Sequence, residues 1–94
     1  MNIEWTQQAE LNLQSILEYI DTDNPTAALE LVDHITSNVS ILLTDHPHVG
    51  RQGRVDGTRE LVVHAHYIAA YRVLSDRVQI LSVIHSARLW PEGF

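Results

Sequence analysis

The sequence predicts an α+β fold of order β-α-α-β-β-β, an N-terminal strand and a helical hairpin packed on a C-terminal antiparallel sheet. Three observations predict it. Apolar residues recur at helical spacing through residues 7–20 and 25–43. From Thr58 to His85 they switch to short runs rich in valine, isoleucine and tyrosine, with turn residues between them. The charge changes across the same boundary. Residues 1–48 carry eight carboxylates and no lysine or arginine, whereas residues 49–94 carry six arginines against four carboxylates, so the halves stand at −8 and +2. Such asymmetry suits a chain whose halves face different partners.

Each element has its own signal. Ile3 and Trp5 are two residues apart and share one face of a short strand over residues 2–5. Thr6 is a good N-cap, and Ala9, Leu13, Ile16, Leu17 and Ile20 form the buried stripe of a first helix over 7–20. That helix stops in Asp21-Thr22-Asp23-Asn24. Asn24 can cap the next helix, and Pro25 sits at its favoured first position with φ preset and no N–H to lose. The second helix runs to about Leu43, with Ala28, Leu31, Val32, Ile35, Val39 and Leu42 towards the core. About four residues join the two, which makes a helical hairpin.

Thr44–Asp56 reads as a loop punctuated by Pro47, Gly50 and Gly53. A three-strand meander follows over 58–85: Thr58–Val63, Tyr67–Leu74 and Arg77–His85. Ser75-Asp76 reads as a two-residue hairpin turn and His64–His66 as a slightly longer one. Residues 86–94 have no clear period and form a tail around Pro91. The whole of 1–94 reads as one domain with one core.

Composition excludes several function classes. Without cysteine there are no disulfides and no thiolate metal sites, which suits a reducing cytoplasm. The apolar runs are far shorter than the roughly 20 residues of a membrane helix, and the N-terminus lacks the basic and apolar regions of a signal peptide. The chain therefore reads as cytoplasmic. A net charge of −6 argues against tight, sequence-independent binding of nucleic acid, which needs surplus cations to meet phosphates. A local arginine patch on the second half stays open.

The order of several motifs carries a resemblance. Ile3-x-Trp5-Thr6, continued by Ala9, Leu13, Ile16 and Tyr19-Ile20, opens the chain. Asp23-Asn24-Pro25, GTRELVV at 57–63, YIAAYRV at 67–73 and the closing Val83 to Arg88 follow. This succession resembles the RelE/ParE superfamily of toxins from type II toxin–antitoxin systems, over nearly the whole chain. The resemblance implies the same helical hairpin on an antiparallel sheet. It also implies a role in plasmid stabilisation and neutralisation by a ParD-like antitoxin, with no cofactor.

Two activities are known in the superfamily. RelE-type members cut mRNA on the ribosome, and ParE-type members act on DNA gyrase and leave it trapped in a DNA-damaging state. Cleavage at a 2′-hydroxyl needs a base, an acid and cations for the phosphorane charge. Where RelE-like chains typically have Tyr-Arg-Val, this chain has Tyr67-Ile68-Ala69, so Ile68 stands at the catalytic arginine's position and no lysine replaces it. With the net charge, this predicts a ParE-like inhibitor of gyrase with no chemistry of its own. The alternatives are an mRNA endonuclease built on Arg59, Arg72 and His85, and a non-toxic member acting only in its antitoxin complex.

The resemblance points to the end of the sheet and the tail for the gyrase contact: Arg88, Leu89 and Trp90, with Phe94 nearby. An arginine beside a tryptophan is the composition of an interface hot spot. Leu13, Leu17, Arg59 and Arg72 are the expected antitoxin contacts, from a segment lying across the sheet and along the first helix. Arg59 and Arg72 have a second reading, as ion-pair partners of Glu60, Asp76 or helix carboxylates. The pairs His46-x-His48 and His64-x-His66 resemble metal-ligand spacing. Each lies at a loop or hairpin without supporting carboxylates or thiols, so no metal is expected.

Overall fold

The computed structural model runs β1 (Asn2–Trp5), α1 (Gln7–Asp21), α2 (Pro25–Asp45), β2 (Arg51–Gln52), β3 (Arg59–His64), β4 (Tyr67–Val73) and β5 (Arg77–His85). The structure describes residues 1–21, 24–87 and 93. The strands form a five-stranded sheet of order β1-β5-β4-β3-β2. The meander is antiparallel, as the spacing predicts, and β1 adds to it parallel to β5, with Ile3 opposite Val78 and Trp5 opposite Ile80.

Local chemistry sets the helix starts. The Ala9 N–H donates to Thr6 Oγ1 at 3.2 Å, while the Thr6 hydroxyl donates to the carbonyl oxygen of Ile80 at 2.7 Å. One side chain thus caps α1 and ties it to the sheet. Asn24 is extended and its side chain accepts from the Ala27 N–H at 3.1 Å, the capping role read from sequence. α2 buries Ala28, Ile35, Val39 and Leu43. The expected Leu42 is instead 37% exposed, because the i, i+4 row from Ile35 through Val39 continues to Leu43.

The helices cover one face of the sheet. Ala9, Ile16, Ile35, Val39 and Leu43 meet Ala69, Tyr71, Val78, Ile80 and Val83 in the core. The β4–β5 register shifts between Ala70 and Tyr71, which oppose Ser82 and Ile80, so Leu81 is the extra residue of a bulge. The bulge inverts the alternation, and Val83 rather than Ser82 joins the helix-facing core.

Two sequence expectations need correction. Thr44–Asp56 is not all loop: α2 continues to Asp45, and Arg51-Gln52 pair with Glu60 and Arg59 as β2. The turn between β3 and β4 has only Ala65 and His66 between the strands, tighter than expected. Across Ser75-Asp76 the Leu74 N–H donates to the Arg77 carbonyl oxygen at 2.8 Å.

β1 stops pairing at Trp5, which leaves the outer edge of β5 beyond Ile80 without a strand among the described residues. Asn12 on α1 takes over part of that edge. Its Oδ1 accepts from the Ser82 hydroxyl at 2.7 Å and from the Val83 N–H at 3.0 Å. Asn12→Ala should lower stability by about 1–3 kcal/mol, because a partly buried N–H loses its partner. Urea unfolding measures this, and a loss below about 0.5 kcal/mol would contradict the role.

Candidate functional site

The arginines that distinguish the second half are mostly committed within the molecule. Glu60, only 3% exposed, accepts from Arg51 Nε and Nη2 at 3.3 and 3.1 Å and from the Arg54 N–H at 2.8 Å. Arg59 donates to the carbonyl oxygens of His48 and Gly50 at 3.2 and 2.8 Å and so fastens the 46–58 loop. Arg77 bridges Glu4 and Asp76 at 3.2 and 2.9 Å. Hydrogen bonds from Gln79 and then Arg77 hold the Glu4 carboxyl below the usual carboxylate range. Arg72 is half-buried opposite Gln79, and among the described residues no hydrogen bond or ion pair engages its guanidinium.

The expected pairings of Arg59 and Arg72 with Glu60, Asp76 or helix carboxylates are therefore not formed. The reason is geometric: consecutive strand residues point to opposite faces, so Arg59 cannot reach the carboxylate of Glu60. Arg59 sits opposite Tyr71 in the register, whereas Arg72 lies on the other face.

Arg59, Arg72 and His85 lie on the adjacent strands β3, β4 and β5 but do not converge. His85 pairs with Tyr67, and Arg72 lies five residues further along β4, about 16 Å at the strand rise. Ile68 is 5% exposed between Val62 and Ile84. Tyr71 is wholly buried, and burial pushes its phenol above the ordinary value.

Histidines do gather, at the other end of the sheet. His34 on α2 meets His64 edge-on at 6.0 Å, and His64 lies 6.3 Å from Tyr67. Tyr67 meets His85 edge-on at 5.2 Å, and His85 stacks on His66 at 5.7 Å. The Asn38 amide contacts His34 Nε2 at 3.0 Å and the carbonyl oxygen of Val63 at 3.3 Å, tying α2 to β3. His85 Nδ1 accepts from the Ala87 N–H at 3.1 Å, which leaves the ring proton on Nε2. His64 Nδ1 is buried without a hydrogen-bond partner.

The rings of His64, His66, Tyr67 and His85 wall a cleft of about 490 Å³ between α1 and the ends of β4 and β5, whose α1 side is Asn12, Ser15, Ile16 and Tyr19. Sequence reasoning missed this cleft, although Leu11 and Tyr19 are apolar residues off the buried stripe of α1 and so carried a signal. They are 49% and 77% exposed, whereas the expected antitoxin contacts Leu13 and Leu17 are half-buried, Leu13 packing against the core. His64 and His66 diverge, one towards α2 and one onto His85, and His46 and His48 flank Pro47 in the loop. Among the described residues no group of three or more His, Asp or Glu side chains is placed to hold a metal ion, and no helix is long and apolar enough to cross a membrane. Arg88, Leu89, Trp90 and Phe94 lie outside the described residues.

Comparison with known proteins gives this arrangement a family. The model of the ParE toxin of the type II toxin–antitoxin system parDE matches residues 3–90. The chain is 42% identical over 91 residues to the Y4kP protein of Sinorhizobium fredii, covering 96% of this chain and 93% of that one. It is 32% identical to Toxin RelE2 of Caulobacter vibrioides over 93% of this chain and 97% of that one. Among solved structures, a chain of the chromosomal ParDE system of P. aeruginosa superposes with a TM-score of 0.81 at 28% identity, covering 90% of this chain and 95% of that one. The chain belongs to the ParE toxin family of type II toxin–antitoxin systems.

Proposed function

We propose that this chain inhibits DNA gyrase by binding it, and that a ParD-like antitoxin neutralises it in the cytoplasm. The antitoxin reading is supported by the chain's likeness to a component of a ParDE system. The observation that carries the inhibitor reading is the state of the sheet's cations. Ile68 is buried at the position where the resemblance to RNA-cutting members implies an arginine, and Arg59 is bound to two carbonyls. Arg72 is left alone to meet a phosphorane, with His85 at the far end of the strands and the neighbouring Glu60 carboxylate already held by Arg51 and Arg54. A binding inhibitor needs no such cluster.

Two observations favour the alternative of an mRNA endonuclease. A relative at 32% identity bears the name RelE2, and Tyr67 and His85 are in contact at 5.2 Å. Induction in cells separates the readings: gyrase poisoning gives linearised plasmid DNA and a DNA-damage response, mRNA cleavage stops translation first, and a non-toxic member lets cells grow.

The target contact is assigned to Arg88, Leu89 and Trp90. Arg88→Ala and Trp90→Ala should each return growth to the uninduced level while leaving the melting temperature and antitoxin affinity unchanged. Toxicity that survives both changes moves the active surface elsewhere.

A further inference from the structure

We infer that the chain's acidic helical face is a partner surface: a basic segment lies along α1 and seats an aromatic side chain in the His–Tyr cleft. This deepens the antitoxin reading and rests on it, the segment being the toxin-binding part of the antitoxin. It departs from the expectation that the antitoxin crosses the sheet to shield arginines.

The charge distribution carries the first step. Glu4, Glu60 and Asp76 already answer Arg51, Arg54 and Arg77, and carbonyls answer Arg59. The helices have no such balance. Glu10, Glu30, Asp33 and Asp45 are exposed, and no cation is paired with any of them among the described residues. Apart from Arg72 on the sheet and Asp56 in the loop, the unanswered charge of the described residues is thus negative and lies on the helices, so the complementary partner is basic there.

The shape of the surface points to the same helix independently of charge. Leu11, Ser15 and Tyr19 fall at i, i+4 and i+8 on α1 and form an exposed row. The cleft opens beside that row, with Tyr19 among its lining residues. Exposed apolar side chains leading into a cleft of mixed polarity are the setting for an anchor residue.

The cleft walls identify the anchor. The walls offer ring edges and faces from Tyr67, His66 and His85, which suit an aromatic ring. His64 lines the same cleft, and its Nδ1 is buried without a partner. It suits a donor carried by the anchor, an indole N–H or a phenol O–H. Asn12 Oδ1 is already engaged twice, so its amide N–H groups are left for an acceptor on the segment.

The test uses the full chain and the antitoxin encoded with it. Glu30→Lys and Tyr19→Ala should each weaken the complex about tenfold or more, and Arg72→Glu should leave it within about twofold. Both sites are solvent-exposed, and circular dichroism with an unchanged melting temperature checks that each variant is folded. Affinity of the unmodified pair should fall as salt rises, and Glu30→Lys should flatten that dependence. If Arg72→Glu weakens binding tenfold while Glu30→Lys and Tyr19→Ala change nothing, the partner is acidic and sits on the sheet, and the inference is overturned. An antitoxin that does not bind the unmodified chain at all removes the toxin–antitoxin reading together with it.

Discussion

Tyr71→Ala should remove about 3–5 kcal/mol of stability, enough to leave a domain of this size largely unfolded near body temperature. Tyr71 is the largest of the fully buried side chains and stands in the core among Val78, Ile80 and the helices. Its truncation opens a cavity that packed neighbours fill only in part. A second loss comes from the loop. The Gly50 N–H donates to Tyr71 Oη at 2.9 Å in a buried setting, and alanine leaves that donor without a partner. The approach is so close that a Cβ on residue 50 would meet Oη at 2.6 Å and the Glu60 carbonyl oxygen at 2.8 Å, which explains the glycine.

Tyr71→Phe separates the two effects. It keeps the ring and removes only the acceptor, so the expected loss is about 1–2 kcal/mol, a fall of roughly 5–15 °C in melting temperature. If urea unfolding shows both variants losing the same amount, the hydroxyl dominates and the ring adds little, contrary to its position.

The contrast between Tyr71 and β2 indicates what was legible in the sequence. Strand β4 announces itself as a short run with isoleucine, valine and two tyrosines bounded by turn residues, and Tyr71 follows as one of its residues. β2 has two residues, no period and a setting of glycine, histidine and arginine. It exists because Glu60, buried on the next strand, collects Arg51 and Arg54. Only the three-dimensional register brings those groups together.

The bulge at Leu81 was hidden for a similar reason. The run of apolar residues in β5 allows either parity, and pairing with β4 decides that Val83 and His85 share a face with Ile80. That parity builds the His–Tyr cleft. The sequence did carry one warning left unread: Arg59 and Glu60 are neighbours on a strand and so face opposite ways.

Glu60→Ala should cost about 1–3 kcal/mol and change the character of the sheet face. The carboxylate is nearly inaccessible, but the side chains of Arg51 and Arg54 are about half exposed, at 57% and 50%. They rehydrate when it is removed, so the loss stays below that of breaking a fully buried pair. What cannot rehydrate as easily is the geometry of 51–58. The Arg54 N–H loses its acceptor, and the carboxylate no longer fastens β2 to β3.

The electrostatic consequence of that change tests the functional argument. Glu60 stands opposite Ala70, two residues from Arg72 on the same face of β4, so its removal leaves Arg51 and Arg72 as unneutralised neighbours. Glu60→Ala should therefore gain weak, salt-sensitive binding to short single-stranded RNA, while the unmodified chain shows little. Fluorescence anisotropy at two salt concentrations measures it. An unmodified chain that binds RNA as well as the variant would mean that internal pairing does not silence the arginines, and the endonuclease reading would regain ground.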